Sequence, residues 1–177
     1  MNDPENLPTP DGRGTVEAEM DEEQIWQALQ TITDPEIPVV TIVELGLVRQ
    51  VDVRPEGVTV TIAPTFAGCP ALHLIQQDIR SKLTELGAAN VQVKTQLAPA
   101  WTSDWITDEA RAKLKAFGLA PPMRHGGDVN VMLLEIATCP RCGSRNTRLQ
   151  NSFGTTLCRS IYTCKACRET FEQFKAI

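Results

Sequence analysis

The residues best equipped for chemistry are six cysteines, and their spacing sorts them into three sets. Cys139-Pro-Arg-Cys142 and Cys164-Lys-Ala-Cys167 are two CxxC pairs with 21 residues between them. Two intervening residues let both thiolates of a tight turn face one metal ion while N–H groups of the turn donate to sulfur, and Gly143 suits the left-handed position such a knuckle needs. Four thiolates close a tetrahedral shell, so the spacing predicts a structural site rather than a catalytic one, with zinc the first candidate and iron in the same geometry the second. A module of about 40 residues has little core of its own, and metal must supply much of its folding energy. Cys158 is a fifth thiol nearby. It can exchange into the metal site or serve as a small hydrophobe, and the alternation of Thr155–Tyr162 favours a hairpin strand.

Cys69 stands alone in the first 138 residues, within Pro64-Thr-Phe-Ala-Gly-Cys-Pro70, where a strand pattern gives way to a helix pattern. Pro70 suits a first helical position, which puts Cys69 at or near the N-cap, beside unpaired N–H groups that favour thiolate. A cysteine among apolar residues is as readily a buried packing residue, and the chemistry alone leaves both readings open. His73, one turn along, is expected half-buried and poorly placed to pair with Cys69. Asp34 and Glu36 flank Pro35; two carboxylates in a rigid loop can bind metal or orient a partner, or sit in a solvated turn.

Elements that position these residues are legible from periodicity. Ile25, Trp26, Leu29 and Ile32 repeat at helical spacing behind Asp21 and stop before Asp34-Pro35. Thr41-Ile-Val-Glu44 reads as a capping box closed by Gly46. Leu47–Arg54 and Val58–Ala63 form a hairpin around Pro55-Glu-Gly57. Ala71, Leu72, Ile75, Ile79, Leu83 and Leu86 make a helical stripe ended by Gly87, followed by a strand over Val91–Leu97 and a second amphipathic helix from Asp108 to Phe117. The pattern is an α+β fold, a small three- to four-stranded sheet packed by helices, followed by a C-terminal ribbon. The expected boundaries are a disordered acidic segment over 1–19, a main domain over 20–120, a linker over 121–128 and a four-cysteine ribbon over 129–177.

The formal net charge of −5 is unevenly spread. Residues 1–23 hold eight acids against Arg13, whereas residues 139–177 hold seven bases against Glu169 and Glu172. A basic ribbon with Phe153, Tyr162, Phe171 and Phe174 admits a second reading, a nucleic-acid-binding regulator gripping phosphates through Arg145, Arg148 and Arg159. The acidic remainder and the ribbon's own need for a core disfavour nucleic acid as a partner. No stretch is apolar enough to predict a membrane span, and the absence of a leader pattern with clustered thiols predicts a cytoplasmic home. A carboxylate-bridged di-iron centre is excluded, because neither His73 nor His125 follows a glutamate at i−3. Neither GxxxxGK[ST] nor GxGxxG occurs.

Asp34-Pro-Glu-Ile-Pro38, Thr41–Val48 and Pro64–Pro70 together resemble the MIP18 (DUF59) family of iron–sulfur cluster assembly factors. Adding Cys139-Pro-Arg-Cys-Gly-Ser144, Ser152–Cys158 and Cys164–Lys175, the order of domain and ribbon looks like the PaaD family of the multicomponent phenylacetyl-CoA epoxidase. The resemblance implies an accessory role in aerobic phenylacetate degradation, assembling, delivering or repairing an iron–sulfur or iron centre, with turnover left to partner subunits. It implies a reactive thiol at Cys69 that holds iron or a cluster transiently, with Asp34 and Glu36 supporting it. It also implies the other epoxidase subunits as partners, first among them the iron–sulfur reductase component; a homodimer is compatible with it.

Overall fold

The computed structural model describes residues 20–128, 130 and 136–177. The acidic segment 1–19 and most of the apolar run Val129–Ile136 lie outside the described residues. Helix α1, Glu22–Leu29, starts at a capping box: Gln24 N–H donates to Asp21 Oδ1 at 2.8 Å, and Asp21 N–H donates to Gln24 Oε1 at 3.1 Å. Its buried face is Ile25, Ala28 and Leu29. The chain then enters the Asp34–Pro38 loop, which Asp34 N–H closes by donating to Val40 O at 2.9 Å.

Strands β1, Val48–Arg54, and β2, Gly57–Ile62, pair antiparallel, with Val51 opposite Val60 and Val53 opposite Val58 as the alternation predicts. Helix α2, Leu72–Glu85, buries Ile75, Ile79 and Leu83. Leu86, expected on the same stripe, is exposed, because the helix has ended there. Strand β3, Gln92–Thr95, returns parallel to β2, giving the order β1-β2-β3. Helix α3, Asp108–Phe117, is capped by Thr107 Oγ1, which accepts from Ala110 N–H, and ends at Gly118 in the left-handed region at φ +94°.

A second sheet contains β4 (Leu119–Ala120), β5 (Thr147–Asn151), β6 (Arg159–Cys164) and β7 (Thr170–Phe174) in the order β4-β7-β6-β5. It is the ribbon, but β4 comes from the chain before the expected linker and pairs parallel with β7. Residues 121–128 are accordingly no free tether. His125 is buried, with Nε2 3.0 Å from Ile177 O and 3.1 Å from Thr102 Oγ1, and Arg111 Nη1 donates to Pro122 O. Proline and glycine break the regular structure here without preventing side-chain burial.

Strand β7 also contributes to two cores. Phe171 packs with Ala120, Ala137, Cys139 and Cys164 in the ribbon, whereas Phe174 is 1% exposed in the main core, its ring 5.8 Å from Trp101. Trp101 Nε1 donates to Leu45 O at 3.0 Å, linking that contact to the Thr41–Leu45 turn. Truncating Phe174→Ala should therefore destabilise the main domain by about 3–5 kcal/mol although the residue belongs to the ribbon. Urea unfolding followed by tryptophan fluorescence checks this, and an unchanged midpoint would refute the shared core.

Candidate functional site

The CxxC turns bring four sulfurs together. Cys139, Cys142, Cys164 and Cys167 each offer Sγ, and all four atoms lie within 4.8 Å of one another. The Cys139–Cys167 and Cys142–Cys164 separations are 3.7 and 3.6 Å. A tetrahedron of sulfurs about 2.3 Å from a central ion has edges of about 3.8 Å, so the shell fits a thiophilic metal. Gly143 takes φ +73°, the left-handed position expected of the first knuckle, and its N–H donates to Cys139 O at 2.9 Å. The N–H groups of Cys167 and Ala166 pull the Cys164 thiol down to about 6 against the cost of burial. For Cys167 the Glu169 N–H acts downward, but burial and the crowding sulfurs of Cys142, Cys164 and Cys139 push it up to about 12. One ion in the centre replaces this competition among four sulfurs with four bonds.

Cys69 is elsewhere. It lies in the turn between β2 and α2, half-buried, with its N–H donating to Phe66 O at 3.0 Å and its carbonyl accepting from Leu72 N–H at 3.2 Å. The N-cap of α2 is Ala71, so Cys69 and Pro70 precede the helix rather than start it. The Ala71 N–H does lower the thiol's pKa, as a helix-end donor should, yet the net shift is upward. Burial is the largest cause, and the negative charges of Glu36, Asp34 and Cys158 add to it. Burial, with these charges added to it, outweighs the local N–H, so the thiol rather than the thiolate is favoured. His73 is exposed on α2, not half-buried, and Glu36, Asp34 and Cys158 rather than His73 are the charges acting on the Cys69 thiol.

Asp34 is 9% exposed and holds its own loop: Oδ1 accepts from Glu36 N–H at 2.8 Å and Ile37 N–H at 2.9 Å. Burial nevertheless raises its pKa, with those two N–H groups and Arg159 opposing. Glu36 is also raised, by burial and then by Asp34. Asp34 and Cys69 share a narrow apolar recess with Leu47, Ile62, Leu72 and Ile75. Glu44, the other acid of this region, has the capping role expected of it: Oε2 accepts from Thr41 N–H at 2.9 Å, and Lys113 pairs with Oε1 at 2.5 Å.

Sequence reading missed the approach of the ribbon to this loop. Arg159 is buried; Nη1 meets Glu172 Oε2 at 3.0 Å and Nη2 donates to Glu36 O at 2.9 Å, across 123 residues of sequence. Cys158, its neighbour, packs against the same main core as Cys69. No local signal could place Cys158 there, since its own segment reads only as a strand.

Comparison with known proteins agrees with this division. The iron–sulfur cluster assembly protein family matches residues 22–95, and the PaaD zinc beta ribbon domain matches residues 132–175. The chain thus combines an iron–sulfur assembly type of domain with a zinc-ribbon type of tail. A protein of Escherichia coli strain K12, named as one of the subunits of a 1,2-phenylacetyl-CoA epoxidase, is 45% identical over 154 residues, 87% of this chain and 92% of that one. This chain belongs to the same family as that epoxidase component. An Fe-S protein maturation auxiliary factor of Porphyromonas gingivalis is 40% identical over 95 residues, covering 52% of this chain and 90% of that one. Among solved structures, a DUF59 domain from Bacillus anthracis matches with TM-score 0.49 at 29% identity, over 52% of this chain and 90% of that one. No helix among the described residues is long and apolar enough to cross a membrane.

Burial, reinforced by the charges around Cys69, sets the direction of its reactivity. A raised thiol pKa means less thiolate at any pH below it, so alkylation should begin at higher pH than for an exposed cysteine. Removing a negative neighbour reduces the shift: Glu36→Gln should speed iodoacetamide labelling of Cys69 at pH 8 by roughly two- to fivefold. Site-resolved mass spectrometry on metal-loaded protein measures this, and an unchanged or slower rate would contradict the electrostatic account.

Proposed function

We propose that this protein is an accessory factor that assembles, delivers or repairs an iron–sulfur or iron centre of a multicomponent phenylacetyl-CoA epoxidase. The observation that carries the reading is the Cys69 thiol held beside Asp34 and Glu36 in the segment that matches the iron–sulfur assembly family. In this reading iron or a cluster is cargo. Cys69 is its reactive ligand, Asp34 keeps the loop in shape, and Glu36 supplies a second anionic group at its rim. The ribbon metal is zinc, fixed and structural, because all four of its positions are filled by protein thiolates. In this reading the receiving partner is the iron–sulfur reductase component.

Of the three arginines that a nucleic-acid regulator would use, Arg145 and Arg148 are exposed and Arg159 is not. Arg159 is buried in an ion pair, Arg141 is paired with Glu169, and Phe171 and Phe174 are buried, leaving Phe153 as the exposed ring among the ribbon's phenylalanines. Complementation of a deletion strain separates the readings. Cys69→Ala should fail to restore epoxidase activity in cells and should leave the reductase component deficient in iron, while the purified variant keeps its ribbon zinc. Full restoration by Cys69→Ala would remove the thiol from the function, and sequence-independent, steeply salt-dependent binding to duplex DNA would revive the alternative.

A further inference from the structure

The stretch Ser152-Phe-Gly-Thr-Thr-Leu-Cys158 contributes no ligand to the ribbon's four-sulfur shell, yet it is folded closely around one side chain, that of Arg159. Gly154 N–H donates to Arg159 O at 2.9 Å and Arg159 N–H donates to Thr156 O at 3.1 Å, which fixes the backbone from which the guanidinium extends. Glu172 on β7 fixes the far end. Its Oε1 accepts from Thr155 N–H at 2.6 Å, and its Oε2 accepts from Thr155 Oγ1 at 3.1 Å and from Arg159 Nη1 at 3.0 Å. A Cβ at position 154 would stand 2.5 Å from Glu172 Oε1, so glycine there leaves the carboxylate its place.

With Nη1 committed inside the ribbon, Nη2 reaches the main domain and donates to Glu36 O at 2.9 Å. That oxygen belongs to the Glu36–Ile37 peptide unit, whose N–H, on Ile37, donates to Asp34 Oδ1 at 2.9 Å. One peptide unit is thus held at both poles, by the ribbon at its carbonyl and by Asp34 at its N–H. Glu36 N–H adds a second bond to the same Asp34 oxygen at 2.8 Å, and Asp34 lines the apolar recess that Cys69 also lines. A planar guanidinium donates in two fixed directions at once, which a lysine ammonium does not match. Arg159 Nε is buried with no acceptor among the described residues, a cost to stability that a residue kept for packing alone would not carry.

We propose that Arg159 is a positioning residue for the assembly site: through its guanidinium the ribbon holds the Glu36–Ile37 peptide unit, and with it the Asp34 carboxylate at the Cys69 recess. The proposal rests on the maturation reading above and deepens it, since the ribbon then supplies part of the site's scaffold. Arg159 is not among the residues that line the recess, and it acts through the loop.

Amide hydrogen exchange, followed by NMR on the zinc-loaded full chain, tests the hold directly. Arg159→Lys keeps the charge without the fork, and Arg159→Gln removes both. In each variant the Glu36 and Ile37 amides should exchange at least about fivefold faster than in wild type, while amides of the β1–β2 pair and the ribbon's zinc content stay as they were. In the deletion strain, at equal protein level, each variant should restore less than about half of the epoxidase activity that wild type restores. Unchanged exchange at Glu36 and Ile37 in both variants overturns the hold. Faster exchange spread evenly over β1 and β2 makes Arg159 a general packing residue and overturns it as well. Local loosening with full restoration of activity strips the hydrogen bond of any bearing on function and overturns the positioning role. Failure of the maturation reading itself shows separately, as full restoration by Cys69→Ala, and leaves the exchange result standing.

Discussion

Strand β7 carries one aromatic ring into each of two cores, Phe171 into the ribbon and Phe174 into the main domain. The Cys164–Cys167 turn joins β6 to β7, and their pairing carries Phe174 to the point where it enters the main core. From Phe174 the connection runs to Trp101 and through its indole N–H to the Leu45 carbonyl, in the turn that follows the Asp34–Pro38 loop. The ribbon is thereby joined to the region of that loop by packed side chains as well as by the Arg159–Glu36 hydrogen bond. A ribbon joined only by a linker would have no such purchase.

The elements whose causes are local were legible in the sequence. The α3 limits follow from Thr107, the acids after it and Gly118; the hairpin register follows from alternating valines; the Thr41–Glu44 box follows from two side chains three residues apart. The four ribbon thiols were equally plain, because CxxC spacing is itself the geometry. What stayed hidden has long-range causes. Nothing near Leu119 announces a partner in β7, and nothing near Arg159 announces the Glu36 carbonyl 123 residues away. The Cys69 environment, left open by the sequence, has long-range causes too: a helix-end donor can be read from Gly-Cys-Pro, but burial and the carboxylates and second thiol that act on it cannot.

The uneven charge of the chain also acquires a structural meaning. Three of the ribbon's bases that looked like surface charge are engaged: Arg141 with Glu169, Arg159 with Glu172 and the acidic loop's carbonyl, and Lys175 with the Leu157 carbonyl. Of these three, Arg159 alone is bonded to the main domain, and its guanidinium acts on Asp34, Glu36 and Cys158.

The turn that holds Cys69 begins after β2 has made its last pairing at Ile62 and ends before α2 begins at Leu72. Sheet and helix are each complete without the thiol. In the ribbon the opposite holds, since its cysteines are the fold. The protein thus separates two kinds of position: the ribbon thiols build the structure around them, whereas residues of the β2–α2 turn can change at small cost to stability. Side chains can be exchanged within one short turn while the rest of the domain stands still.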